Sequence, residues 1–288
     1  MNNKIGIGTA NFGSLYGVNR KKISKQQAKK IIEISKKNKI NLIDTSSEYY
    51  GAEVILGNLD LSKFKIVTKI KIPNNFILAD MHKIEKIFFS SLKKLKVKKI
   101  HALLIQNCDE LLKKNGFYFF NFFLNLKKEG FINKLGFSIY STNILNKLNK
   151  KFKFDIIQIP LNIFNQEFLQ KNLLKKLKKK NIEIHTRSSF LQGLLLMKKN
   201  YIPKNFKNLK NILKEFDEFI KKNNYNKLSY LLDFSMNIKE IDHVIFGIDG
   251  PKQLEKLLFL SKKKKFNFKE INLKAHEKLI DPRLWKKK

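Results

Sequence analysis

Cysteine is almost absent from this chain of 288 residues, and long apolar runs are missing as well. The single cysteine, Cys108, cannot form an internal disulfide, which fits a reducing compartment such as the cytoplasm. The most apolar run, residues 117–126, is about half of the roughly 20 residues that a membrane helix needs, and the N-terminus has no apolar signal core. We therefore expect a cytoplasmic protein that does not contact a membrane.

Arginine is also scarce, although the net charge is +36. Of the 60 basic residues only Arg20, Arg187 and Arg283 are arginines, and the lysines are spread along segments of helical period. Proteins that recognise nucleic acids favour the planar guanidinium group, which binds phosphates and base edges bidentately. A polyanion-binding protein remains an alternative because of the charge, but the composition predicts no specific nucleic-acid partner.

Apolar, β-rich runs alternate with longer segments of helical period from one end of the chain to the other. The predicted strands are residues 5–8, 41–45, 65–69, 102–106, 134–138, 155–160, 182–186 and 244–247. The first predicted helix begins with a capping box of Ser24 and Gln27, and the others cover residues 52–57, 81–95, 119–128, 143–150, 172–180, a longer insert at 205–239, and 251–261. This pattern predicts an α/β fold, a single-domain (β/α)8 TIM barrel over residues 1–288.

A doubly wound sheet is the alternative fold, but the first strand is not followed by the Gly-x-Gly-x-x-Gly fingerprint that such sheets use for dinucleotides. The sequence also shows no cluster of His, Cys and carboxylates with the spacing of metal ligands, so we predict no metal site. We expect His185 to point away from the barrel axis, and His101 and His243 to lie at the end of the barrel that contributes to stability.

Active sites of barrels lie at the C-terminal ends of the strands, and two of these ends carry reactive groups. Asp44 ends the second strand, Tyr49 follows it, and Lys69 ends the third strand. A phenol has a pKa of about 10, and a neighbouring ammonium group lowers it, so that the phenol can donate a proton near neutral pH. Tyr50 is the rival to Tyr49, but the spacing to Asp44 and Glu53 favours Tyr49.

Several segments, in order along nearly the whole chain, resemble the aldo/keto reductase family. They are Ile-Gly-Ile-Gly-Thr-Ala at residues 5–10, Asp44 to Tyr49 with Glu-Val-Ile-Leu-Gly at 53–57, Thr-Lys at 68–69, Lys-Leu-Gly-Phe-Ser at 134–138, Asp-Ile-Ile-Gln at 155–158, the loop from 184 to 195, and residues 244–255. The resemblance implies a barrel that binds a nicotinamide cofactor, usually NADPH, across its mouth. Hydride then passes to a small-molecule aldehyde or ketone, which becomes an alcohol.

The resemblance also implies roles for individual residues. Tyr49 is the proton donor, Lys69 lowers its pKa, and Asp44 pairs with Lys69. Ser138 and Gln158 hold the nicotinamide carboxamide, Arg187 stacks on the nicotinamide, and the loop from Ser188 to Gly193 meets the pyrophosphate. The full set of expected cofactor contacts is Thr9, Ala10, Asp44, Ser138, Gln158, Arg187, Ser188, Phe190, Gly193, Gly247 and Gln253.

Two positions depart from the family pattern. Gln106 ends the fourth strand where the family usually has a histidine; it can donate a neutral hydrogen bond to the substrate oxygen but cannot titrate. Gly247, Ile248 and Gln253 stand where many members place Lys, Ser and Arg around the 2′-phosphate, so NADP is favoured over NAD only narrowly. A catalytically weakened barrel that binds the cofactor for a regulatory or sensing role remains the alternative function. The oligomeric state is not readable from the sequence.

Overall fold

Eight parallel strands close into a barrel in the computed structural model, which describes residues 4–203, 206, 209–262, 266 and 280–285. The strands follow one another around the barrel in chain order, and β8 pairs with β1. They are β1 Ile5–Gly8, β2 Leu42–Asp44, β3 Lys65–Lys71, β4 Ile100–Gln106, β5 Ile132–Ser138, β6 Ile156–Pro160, β7 Glu183–Arg187 and β8 His243–Gly247. The predicted (β/α)8 barrel is confirmed, and all eight predicted strands are present, the first with the predicted ends and the other seven with shifted ends.

Every strand is followed by at least one helix. The helices are α1 Lys25–Lys37, α2 Ala52–Gly57, α3 Met81–Leu95, α4 Gly116–Lys128, α5 Thr142–Lys151, α6 Leu173–Lys179, α7 Lys210–Lys222, α8 Lys227–Met236 and α9 Pro251–Ser261. The capping box before α1 is present: the Ser24 side chain accepts from the backbone of Gln27, whose side chain accepts in return. None of the described helices is both long and apolar enough to cross a bilayer.

The predicted helical insert at 205–239 contains two helices, α7 and α8, and its residues 205, 207 and 208 lie outside the described residues. The first helix ends just before Asn224, which adopts a left-handed conformation. The second helix begins after Asn226, whose side chain accepts a hydrogen bond from the backbone of Ser229. Asparagine favours both positions, because its short amide tolerates positive φ and caps helices.

Side chains that point into the barrel form three layers. The middle layer is apolar and consists of Leu42, Val67, Ala102, Leu104, Ile156 and Ile245. Above it, at the C-terminal ends of the strands, lies a polar mouth that contains Asp44 and Lys69. Below it lies a polar floor that contains Glu183 and His243, in which burial lowers the pKa of His243 to about 4. The apolar layer therefore separates two buried polar clusters.

His185 points into the barrel, so the expectation that it points away from the axis is wrong. Residues that pair in a parallel register share one face of the sheet, and His185 pairs with Gln158 on β6 and with His243 on β8. Gln158 reaches across the interior to Asp44 on β2, which fixes this face as the inner one. Periodicity alone could not decide the orientation, because a register shift of one residue reverses the face.

Gly136 sits where β5 and β6 approach too closely for any side chain. A Cβ atom built at this position would lie 1.7 Å from the backbone oxygen of Ile156. Gly247 also faces inward at the end of β8, but a Cβ atom there would have no neighbour within 4 Å. The two glycines therefore differ sharply in the space around them, although both occupy strand positions.

We expect Gly136→Ala to destabilise the protein by more than the roughly 1–3 kcal/mol of ordinary overpacking, because a backbone carbonyl group must move. Gly247→Ala is the matched control and should change the free energy of unfolding by less than about 0.5 kcal/mol. Chemical denaturation of both variants measures the difference. Equal stability of the two variants would contradict the close approach of β5 and β6.

Candidate active site

A buried ion pair occupies the centre of the barrel mouth. Lys69 Nζ lies 2.6 Å from Asp44 Oδ2 and also donates to the backbone oxygen of Thr45 at 2.7 Å. The amide nitrogen of Gln158 donates to the other carboxylate oxygen, Asp44 Oδ1, at 2.6 Å. Burial lowers the pKa of Lys69, and the Asp44 carboxylate opposes this shift. The predicted pairing of Asp44 with Lys69 is thus present in the structure. With Gln158, the pair connects three strands, β2, β3 and β6.

The loop after β2 places the Tyr49 ring beside this pair. Ser47 anchors the loop, since both its backbone nitrogen and its hydroxyl donate to the backbone oxygen of Lys69. The Tyr49 ring centroid lies 5.2 Å from Lys69 Nζ. Tyr50, by contrast, is 83% exposed. Of the two candidate tyrosines, only Tyr49 contacts the ion pair.

The pKa of Tyr49 is raised rather than lowered, which differs from the sequence-based expectation. Burial is the largest cause, the Asp44 carboxylate adds to it, and the Arg187 guanidinium opposes both. The Lys69 ammonium group lies beside the tyrosine ring, but it is paired with Asp44 and hydrogen-bonded to Thr45, and its charge does not offset the burial of the phenol. The phenol therefore keeps its proton throughout the neutral pH range.

A groove with a volume of about 650 Å³ crosses the mouth and contains most of the predicted cofactor residues. It is lined by Thr9, Ala10, Asp44, Gln158, Arg187, Ser188, Phe190, Gly193, Gly247 and Gln253 among others. Ser138 is the exception, since it lines a second cavity of about 710 Å³ instead. The groove and the cavity share Tyr49, Gln106 and Tyr140, so they meet beside the ion pair.

Three buried polar atoms of this region have no hydrogen-bond partner among the described residues. They are Gln158 Oε1, Asn11 Oδ1 and Ser189 Oγ. Buried polar groups are nearly always hydrogen-bonded, and leaving one unpaired costs about 1–3 kcal/mol. All three residues line the groove. Unpaired acceptors and donors of this kind are typical of a site that binds a polar ligand.

The far end of the groove carries an acid that sequence reasoning missed. Asp249 lines it beside Gln253, whose side-chain oxygen accepts from the Asp249 backbone nitrogen at 2.5 Å. Asn11 donates to the backbone oxygen of Ile248 at 2.9 Å and to Asp249 Oδ1 at 3.4 Å. Burial raises the pKa of Asp249, and Lys21 opposes the shift.

Two arginines stack on one tyrosine at the mouth. The guanidinium carbon of Arg187 lies 4.0 Å from the ring centroid of Tyr140, and that of Arg283 lies 3.5 Å from it. Arg283 reaches this position because the segment 280–285 returns to the mouth, where Pro282 also lines the groove. The family resemblance places Arg187 on the nicotinamide and gives Arg283 no role. Their meeting depends on the tertiary fold.

The profile of the aldo/keto reductase family matches residues 4–276. The chain belongs to this family. Among solved structures, a glycerol dehydrogenase from Gluconobacter oxydans is similar with a TM-score of 0.69 at 20% identity, covering 92% of this chain and 88% of that one. An aldo-keto reductase from Bacillus halodurans in its holo form has a TM-score of 0.73 at 16% identity, covering 96% and 95%. Identities this low show the fold alone, and no curated protein sequence matches significantly.

The barrel mouth is the candidate active site, because active sites of such barrels lie at the C-terminal ends of the strands, and its ion pair offers a direct test. Lys69→Met leaves the Asp44 carboxylate buried without its charge partner. We expect a loss of about 3–5 kcal/mol in the free energy of unfolding, which is the usual cost of breaking a buried pair. Lys71→Met is the matched control on the same strand, where the lysine is exposed and stability should change by less than about 0.5 kcal/mol.

Urea denaturation of both variants measures the difference. A Lys69→Met variant as stable as the wild type would show that Asp44 and Lys69 are not a buried pair. A double variant, Asp44→Asn with Lys69→Met, should recover part of the loss, since it removes the uncompensated charge.

Proposed function

We propose that this aldo/keto reductase is a nicotinamide-dependent oxidoreductase that reduces an aldehyde or ketone to an alcohol. One observation carries the proposal: the protonated phenol of Tyr49 lies where the cofactor-sized groove meets the second cavity, beside the buried pair of Asp44 and Lys69. A proton donor for a carbonyl oxygen must touch the substrate while the substrate touches the cofactor. Tyr49 and Gln106 border both spaces and meet this requirement.

The residues of the groove fit a nicotinamide dinucleotide. Gln158 already donates its amide nitrogen to Asp44, so its buried and unpaired oxygen is free to accept from the amide of a nicotinamide carboxamide. Gly193 adopts positive φ, which favours glycine, and exposes backbone on the side where a pyrophosphate would lie. When bound, the reduced nicotinamide supplies the hydride, and the protein supplies orientation and the proton.

The proton comes from Tyr49 in this proposal. Burial and the Asp44 carboxylate hold the phenol in its protonated form, which is the form that a general acid needs. As negative charge develops on the carbonyl oxygen, the phenol gives up its proton, and the nearby positive charges of Lys69 and Arg187 stabilise the resulting phenolate. Gln106 orients the substrate oxygen with a neutral hydrogen bond from its amide.

The choice between NADP and NAD depends on the far end of the groove. The family resemblance favours NADP, but the described groove places the Asp249 carboxylate there together with the neutral Gly247 and Gln253. A carboxylate repels a 2′-phosphate and can accept a hydrogen bond from the ribose 2′-hydroxyl of NAD. We therefore propose that the protein binds NADP only slightly more tightly than NAD. Fluorescence titration with NADPH and with NADH measures this difference directly.

Tyr49→Phe is the decisive variant for the proposed chemistry. We expect NADPH affinity to stay within about twofold, while turnover with a panel of aldehydes and ketones falls by at least the 10²–10⁴-fold typical of a positioned acid. Tyr50→Phe is the matched control and should keep most of the wild-type activity, because Tyr50 is exposed at the edge of the second cavity and does not contact the ion pair. If the Tyr50 variant loses activity and the Tyr49 variant keeps it, the proton donor is misassigned.

If the wild type binds NADPH tightly but reduces no carbonyl compound on the panel, the cofactor-sensing function becomes the better proposal. If it binds neither NADPH nor NADH, the nicotinamide-dependent function itself is wrong. The two results separate binding from chemistry.

Gln106 is expected to position the substrate without titrating. Gln106→Ala should weaken kcat/KM by roughly the 0.5–1.5 kcal/mol of one hydrogen bond, about 2–13-fold. The pH–rate profile should show no ionisation near 6.5 from this position, whereas Gln106→His should introduce one. Wild-type kinetics of the alanine variant on a good substrate would place Gln106 outside the substrate pocket.

A further inference from the structure

Two of the five histidines of the chain contact one buried carboxylate at the floor of the barrel, on the opposite side of the apolar layer from the proposed chemistry, and a third packs beside them. His185 Nε2 lies 2.6 Å from Glu183 Oε1, and His101 Nε2 lies 3.1 and 3.2 Å from the two carboxylate oxygens. Lys134 forms an ion pair with the same carboxylate. His243 packs against His185 with ring centroids 5.0 Å apart. No step proposed for the mouth uses this cluster.

The donor atoms of Glu183, His185 and His243 are close enough to share one ion. One donor atom from each residue lies within 4.8 Å of the others, and all three residues are buried. Bonds from Zn²⁺ to imidazole nitrogen or carboxylate oxygen are about 2.0–2.2 Å long, so neighbouring ligand atoms of a tetrahedral site lie about 3.3–3.6 Å apart. The three side chains would have to close by at most about 1.5 Å to reach bonding distance.

His243 has coordination capacity that the protein leaves unused, because its Nδ1 atom is buried and has no hydrogen-bond partner among the described residues. His185 already directs Nε2 at the Glu183 carboxylate, 2.6 Å away. An ion held by both Glu183 and His185 must bind this nitrogen, since Nδ1 lies on the opposite side of the ring. Metal binding then replaces the contact between Nε2 and the carboxylate, and any proton on Nε2 is released.

We propose that Glu183, His185 and His243 form a binding site for a divalent transition-metal ion of the Zn²⁺ class at the floor of the barrel. Two imidazoles and one carboxylate are a ligand set that Zn²⁺ accepts, with water in the fourth position. The ion links β7 to β8 and stabilises barrel closure at the end opposite the mouth. His101 is a positioning residue, because it holds the carboxylate without being one of the three ligands.

Lys134 should weaken metal binding, because its ammonium group and the ion would both contact the Glu183 carboxylate and repel each other. Glu183 is ionised, because the hydrogen bonds from His101 and His185 hold its pKa well below the usual range although burial raises it. A carboxylate offers about four acceptor positions, so Lys134 and His101 need not leave when an ion binds. The positive charge of Lys134 nevertheless weakens binding. This repulsion distinguishes a metal site from a plain ion-pair cluster, in which Lys134 is only stabilising.

The test is isothermal titration of the untagged, full-length, EDTA-treated protein with ZnCl₂. We expect one ion per chain for the wild type and for His82→Asn, the matched control, whose histidine is exposed on α3. His243→Asn should weaken Zn²⁺ affinity by more than the 10–100-fold that loss of an outer-shell partner costs. Lys134→Gln should bind Zn²⁺ more tightly than the wild type. Zn²⁺ should also raise the Tm of the wild type but not that of His243→Asn.

His243 is preferred for the first variant because it lies at the rim of the floor, whereas a His185 variant risks misfolding. Circular dichroism establishes that each variant is folded, and Co²⁺ absorption in the visible range provides a second readout of coordination. Absence of saturable Zn²⁺ binding by the wild type, or equal affinity of the wild type and folded His243→Asn, would overturn the proposal. Weaker binding by Lys134→Gln would overturn it as well, since it would show that Lys134 supports the site.

Discussion

The buried pair of Asp44 and Lys69 is the interaction on which the barrel mouth depends. Two charges held away from water are tolerated only when they satisfy each other and their remaining hydrogen-bond positions are filled. The Thr45 carbonyl and the Gln158 amide fill these positions. The pair therefore joins β2, β3 and β6, and the loop that carries Tyr49 is tied to the backbone of Lys69. Any change at this pair alters both the stability of the mouth and the position of the phenol.

The same pair explains why Tyr49 differs from a simple acid tuned by a neighbouring ammonium group. The charge of Lys69 is paired with that of Asp44. Burial is therefore the largest influence on the pKa of the Tyr49 phenol, which it raises, and the phenol stays protonated. The opposing positive charge comes from Arg187, which has no ion-pair partner in the part of the chain that the structure describes. In the proposed function this arrangement favours a phenol that holds its proton until the substrate oxygen becomes negative, and then stabilises the phenolate.

The interior of the barrel separates two polar clusters by one apolar layer. Six aliphatic side chains lie between the ion pair at the mouth and the histidines at the floor. The protein interior is close-packed, so this layer keeps solvent from connecting the two ends. Changes at the floor should therefore act on barrel closure, whereas changes at the mouth act on ligand binding and chemistry. Among the described residues of this lysine-rich chain, the buried charges of Asp44, Lys69 and Glu183 each have a partner of opposite charge.

The sequence by itself determined the number of strands, their order, and the candidate residues Asp44, Tyr49 and Lys69, because periodicity and spacing are local properties of the chain. It also identified most of the groove, since those residues lie in segments that resemble the family. It could not decide which face of β7 turns inward, and so His185 was assigned the wrong orientation. The proximity of Arg283 to Tyr140, and of His243 to Glu183, could not be predicted from the sequence, because these residues are far apart in the chain. Only closure of the barrel brings such residues together, and burial in the closed barrel is the largest cause of the raised pKa of Tyr49.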